Sequence, residues 1–170
     1  SGLWLNGALG NVASALADTP PPIGPIDPPC VTYRPGGLFP LRSTANGVAV
    51  ALGGCSTQGG GTISGAWTLS GGEWRLRILL GSDGAFGPGL GSGTVFGGSS
   101  NLQDIAIAQD GALYFVAETN TGFRGIWRST ASGNEPIALS TVTDQLGPAL
   151  GPSTSFASFR REIALSRDGL

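Results

Sequence analysis

Eleven carboxylates, nine arginines, two cysteines and two tyrosines are the ionisable side chains from which this chain could build a reactive centre. There is no histidine and no lysine. Without histidine, a serine or cysteine nucleophile lacks the usual base, and without lysine neither a Ser-Lys pair nor a Schiff base can form. A glycosidase-type pair needs two carboxyl groups facing each other across a cleft. Asp104 and Asp110 fall on one face of a strand run but about 20 Å apart by strand rise. Asp110 and Asp168 sit in equivalent turns, which turn geometry alone accounts for. Calcium ligation through Asp83, Asp144 or the Asp-Gly turns lacks the alternating spacing of a calcium loop. The run 87–93 (GPGLGSG) is rich in glycine, yet no helix follows and no lysine completes a phosphate loop. The expectation is therefore a chain with no catalytic residues, no metal and no cofactor.

Two further sets of residues carry physical meaning. Cys30 and Cys55 cannot make a structural zinc site without histidine partners. A disulfide between them would close a loop across the first repeat and suit an extracellular protein; two unrelated small buried residues are the alternative. Trp4, Trp67 and Trp127 could be stacking platforms for a sugar, but recurring at one point of a strand they read better as core between successive units. Trp74 lies off that register.

These residues must be positioned by strands. Thirty glycines and twelve prolines, with no sustained apolar pattern of helical period, favour short strands and many turns. Only 12% of the chain is charged while 40% is hydrophobic, the reverse of a disordered composition. The most regular stretch holds four strand runs, 104–110, 112–119, 124–130 and 135–141. Asp110-Gly111, Thr121-Gly122 and Ser132-Gly133-Asn134 separate them as turns of a meander. Earlier strands are expected at 3–8, 12–17, 38–45, 48–52, 63–70 and 73–80. Asn46-Gly47 turns one hairpin and Gly71-Gly72 another. Residues 14–18 (SALAD) could pass for a signal-peptidase site, but no basic region precedes them and strands are favoured. The proline-rich run 20–29 is an extended connector, 55–62 a loop, and 82–100 a Gly/Pro loop.

The same landmarks return. An x-Gly-x-Trp opening occurs at Trp4, Trp67 and Trp127, 63 and 60 residues apart. The loop FGPGLG at 86–91 returns as LGPALG at 146–151, and Phe96 returns as Phe156, with Tyr33 the counterpart in the first unit. The hairpin turns Asn46-Gly47, Asp110-Gly111 and Asp168-Gly169 keep the register. Periods of this kind mark repeat architectures. The division expected is a half blade (its third and fourth strands) plus connector at 1–37, blades at 38–100 and 101–157, and a lone first strand at 158–170.

Units of about sixty residues with a G-I-W strand, a Gly/Pro loop followed by Phe, and a hairpin ending in apolar residues resemble bacterial secreted tandem-repeat proteins with an N-x-x-G-x-x-A-F signature. The matching segments are 108–115 (AQDGALYF), 44–51 (TANGVAVA) and 166–170 (SRDGL). The signature glycine is present at Gly47, Gly111 and Gly169. Its Asn is replaced by Thr44, Ala108 or Ser166, and its Ala-Phe by Val50-Ala51 or Tyr114-Phe115. The resemblance implies propeller-like blades on surface-anchored chains and no catalytic residues.

Net charge is −2, with the arginines scattered singly or as Arg160-Arg161, which excludes a basic groove for nucleic acid. No apolar run is long enough to cross a membrane as a helix. The expected class is all-β, tandem four-stranded antiparallel meanders with long Gly/Pro loops. Its expected role is a non-enzymatic secreted protein whose partners are copies of itself, joined head to tail into a filament or surface layer by complementary blade halves. The alternative is a glycan- or surface-binding module of a longer adhesin.

Overall fold

The computed structural model describes residues 2–7, 10–16, 30–35, 42–43, 49–57, 60–70, 73–97, 102–148, 150–151, 153–160 and 162–165. Among them there is no helix, and all regular structure is antiparallel sheet. In chain order the strands are β1 (Gly2–Gly7), β2 (Gly10–Leu16), β3 (Cys30–Pro35), β4 (Arg42–Ser43), β5 (Ala49–Thr57), β6 (Thr62–Ser70), β7 (Glu73–Leu79), β8 (Leu102–Ile107), β9 (Leu113–Glu118), β10 (Arg124–Thr130) and β11 (Gly133–Leu139). β1 and β2 form a two-stranded sheet. A middle sheet has the order β3-β5-β6-β7 with β4 also paired to β5, and the last sheet is the meander β8-β9-β10-β11.

Three hairpins share one construction. β1–β2, β6–β7 and β10–β11 close on two-residue loops, at the pairs Gly7↔Gly10, Ser70↔Glu73 and Thr130↔Gly133. Each ladder then slips by one residue immediately before its tryptophan, leaving Ser14, Arg77 and Ile137 as the extra residue of a bulge. The glycine two places before Trp67 and Trp127 follows from this slip. A Cβ on Gly65 would sit 2.1 Å from the Ile78 carbonyl oxygen, and one on Gly125 would sit 2.2 Å from that of Ala138. Only a residue without a side chain permits the opposite strand to fold over there.

The loops after β7 and β11 also match, sixty residues apart. Leu79 N–H donates to Phe86 O, and Leu139 N–H to Leu146 O, both at 2.9 Å. Gly81 N–H donates to Phe96 O at 3.1 Å and Thr141 N–H to Phe156 O at 2.9 Å. Tyr33 faces Cys55 across β3–β5, and Phe96 bridges Thr119 at the corresponding place beside β9.

The arrangement departs from the sequence-based expectation in three places. Residues 30–35 are strand β3, not connector, because the far half of β5 offers them a ladder; Pro35 is accommodated at the end of an edge strand. That ladder extends β5 to Thr57, so the loop expected at 55–62 shortens. In the tail, the described residues 158–160 and 162–165 form no ladder, and Ile163 N–H instead donates to the Asp104 carboxylate at 3.1 Å. The proline run 20–29 and the turn residues Asn46, Gly47, Asp168 and Gly169 lie outside the described residues, as does the side chain of Trp4.

One apolar cluster joins the middle and last sheets. Ala66 and Ile78 from β6 and β7 meet Leu102, Ile105, Leu113, Phe115, Ala117, Trp127 and Leu139 of the last sheet, with Phe96 from the intervening loop. Along β10 burial alternates strictly, placing Gly125, Trp127 and Ser129 inward, as a sheet covered on one face requires.

Candidate functional site at the junction of two sheets

The described residues hold no obvious reactive centre. No group of three or more His, Cys, Asp or Glu among them is placed to hold a metal ion. The carboxylates are occupied locally. Asp83 Oδ2 accepts from Gly93 N–H at 2.8 Å, Asp110 Oδ1 from Ala112 N–H at 2.9 Å, and Asp144 Oδ1 from Leu146 N–H at 2.9 Å. Asp110 and Gly111 form the expected turn, in which Gly111 takes a φ of 82° and donates its N–H to Ala108 O. An open, mainly apolar depression of about 390 Å³ between Ser64, Leu80 and Phe96 contains no ionisable side chain.

What the fold does build is a junction. The loop 80–97, between β7 and β8, is held by the last sheet at two ends. At one end hairpin β10–β11 reaches over residues 85–88. Trp127 Nε1–H donates to Pro88 O at 2.9 Å, Asn134 N–H to Ala85 O at 2.9 Å, and Asn134 Nδ2–H to Phe86 O at 2.7 Å. Ser129 Oγ–H adds a bond to Arg77 O, the bulge residue of β7, at 2.9 Å. At the other end the β9–β10 turn grips residues 93–95. Asn120 donates through Nδ2 to Gly93 O, accepts at Oδ1 from Val95 N–H, and donates its own N–H to Val95 O, each at 3.0 Å.

Close approach is part of this clasp. A Cβ on Gly133 would lie 2.4 Å from Ala85 O, and one on Gly89 would lie 2.9 Å from Asn134 O. The loop offers main-chain carbonyls and the hairpin supplies donors, so the contact reads the shape of a loop rather than its side chains. Buried amide bonds of this sort stabilise by about 1 kcal/mol each, and leaving one acceptor unmet costs more than that.

Phe96 closes the junction from within. Its ring meets Phe115 edge-on at 5.4 Å and Trp127 edge-on at 5.2 Å, while Phe115 and Trp127 stack at 6.1 Å. Such pairs contribute about 0.5–1.5 kcal/mol each beyond their buried area. Trp67 and Trp127 are both fully buried, at 0% exposure, which removes them as platforms open to a sugar. Phe156 is half-buried and packs against Phe159 at 5.0 Å.

Charge plays a secondary part. Burial, and then the neighbouring charge of Arg75, lower the pKa of the Arg77 guanidinium, whose Nε–H donates to Thr68 Oγ1 at 3.1 Å. On the outer face, a hydrogen bond to Glu135 is the main cause raising the pKa of Arg128, which also lies 3.6 Å from Asp110.

Cys30 stands opposite Thr57 and Cys55 opposite Tyr33 on the same ladder, so the two cysteines occupy neighbouring strands, offset diagonally. The residues that the sequence did not single out are Ser129, Asn120 and Asn134. Only Asn134 carried any signal, as part of a turn. Comparison of the chain with protein-family models, with curated proteins and with solved structures finds no match.

Proposed function

We propose that the chain is a non-enzymatic extracellular structural protein, built from tandem blade-like units of about sixty residues, that assembles head to tail into a filament or surface layer. The observation that carries this reading is the clasp of β10–β11 on the loop 85–88, a unit-to-unit joint made largely of main-chain acceptors. Joints of this type propagate, because units that bury their faces only on neighbours add one after another. The common register of three hairpins and the two matching loops support the tandem reading. The neighbouring placement of Cys30 and Cys55 is compatible with an oxidising, extracellular setting.

A glycan-binding module has less support, since Trp67 and Trp127 are buried and the apolar depression beside Phe96 lacks ionisable groups. The assembly reading is tested by electron microscopy and light scattering of the purified protein across a concentration series near neutral pH. Growth into regular fibres or sheets supports it; monodisperse particles at every concentration refute it.

A further inference from the structure

The loop 82–93 has a counterpart at 142–151: Gly87 N–H donates to Gly84 O in the first, and Gly147 N–H to Asp144 O in the second. Its surroundings differ. Gly87 and Pro88 are buried under hairpin β10–β11, whereas Gly147 and Pro148 are only half-buried. Leu90 packs onto the core cluster, while Leu150, sixty residues on, is 78% exposed. Among the described residues no donor from another sheet reaches the carbonyls of Gln145 or Pro148, the counterparts of Ala85 and Pro88.

The donor set that would fit this loop recurs in hairpin β1–β2. Aligned on the bulge before its tryptophan, it carries Trp4, Gly10 and Asn11 at the register positions of Trp127, Gly133 and Asn134. Asn6 stands where Ser129 donates to Arg77 O. Hairpin β6–β7 shares the tryptophan but has Leu69, Glu73 and Trp74 at the other three places. Among the described strands the Trp, Gly and Asn of the set occur together only in β1–β2 and β10–β11, and β10–β11 is already engaged within its own chain.

We infer that hairpin β1–β2 of a second copy of this chain docks on the loop 142–151, repeating between molecules the clasp that β10–β11 makes on 82–93 within one. By register, Asn11 stands where Asn134 serves Ala85 O and Phe86 O, Trp4 where Trp127 serves Pro88 O, and Gly10 where Gly133 admits the loop, so the carbonyls of Gln145, Leu146 and Pro148 are the acceptors offered and Leu150 is covered. The contact is heterologous, so it grows in one direction unless geometry closes it. This inference rests on the assembly reading above and specifies the surfaces it uses.

A complementation experiment on the full chain tests it. Asn11→Trp alters the hairpin only, with a residue that β7 already carries at the same register position, and Leu150→Asp alters the exposed loop only. Urea midpoints equal to wild type establish that both variants fold; Asn11→Ser replaces Asn11→Trp should that variant fall short. Light scattering should show the wild type growing with concentration and each variant monomeric, with self-association weakened at least about tenfold. An equimolar mixture of the two variants should give heterodimers and nothing larger, because one intact hairpin meets one intact loop. Variants that polymerise like the wild type, or a mixture that stays monomeric, would overturn this contact and leave the assembly reading standing. A wild type that is monomeric throughout removes both.

Discussion

Replacing Gly125 by alanine tests the central structural argument, that a bulge and not a turn demands the glycine before each tryptophan. The added Cβ would lie 2.2 Å from Ala138 O and 2.7 Å from Leu139 Cδ2. Non-bonded carbon normally keeps about 3.5 Å from such atoms, so β10 and β11 must part by roughly 1 Å. A separation of that size opens the Gly125↔Leu139 bridge and the two ladder bonds that flank it, of which Ser140 N–H to Arg124 O is now 2.7 Å. Two lost bonds at about 1 kcal/mol each, with about 1–3 kcal/mol for overpacking, are offset by about 0.4–1 kcal/mol from a stiffer unfolded chain. The expected loss is about 3 kcal/mol. Gly122→Ala is the control: its φ is 87° but nothing lies within 4 Å, so it should lose only the left-handed cost of about 1–2 kcal/mol. Urea unfolding followed by tryptophan fluorescence reads both. Equal losses for the two variants would refute the steric account and leave the motif glycine a matter of backbone preference.

Trp127→Phe keeps most of the ring stack but strips the donor from Pro88 O; a loss of about 1–3 kcal/mol is expected, with faster amide exchange across 85–97 than across β8. Thr141 holds a φ of 63°, where the matching position is Gly81. Thr141→Gly should relieve about 1–2 kcal/mol of strain, less up to about 1 kcal/mol for glycine's freedom, and raise the melting temperature by about 2 °C; an unchanged or lower value contradicts that. A Cys30–Cys55 disulfide, detected by non-reducing peptide mapping, should stabilise by about 3.5 kcal/mol for a loop of this length, and two free thiols in oxidised, folded protein would rule it out.

How much could be seen in the residues alone depends on where each interaction stores its information. Side-chain patterns told of the strands: Leu76 and Ile78 are buried in alternation along β7, and the spacing of the tryptophans marks one ladder position in three hairpins. Strand β3 was missed because Tyr33 and Pro35 beside a proline run carry no clear alternation; its partner, the far half of β5, is rich in Gly and Ser, which reads as loop. The clasp was illegible for a deeper reason. Its acceptors are carbonyls of Ala85, Phe86 and Pro88, which every residue type possesses, and its donors include two asparagines that look like ordinary turn residues. Trp74, without a place in the sequence pattern, pairs with Leu69 in the register position that Asn134 fills elsewhere.

The meander of the last sheet has a consequence for the order of events when the chain is made. Each ladder there joins strands consecutive in sequence, so a hairpin can close within microseconds of emerging. The clasp cannot, because Phe96 leaves the ribosome well before Asn134 follows. At about 5–20 residues per second, the loop waits some 2–8 seconds with its carbonyls and its aromatic ring unmet. Under the assembly proposed above, a hairpin of matching register on a neighbouring chain competes for the loop during that interval, so synthesis rate and crowding, as much as equilibrium affinity, would set whether the joint forms within a molecule or between two.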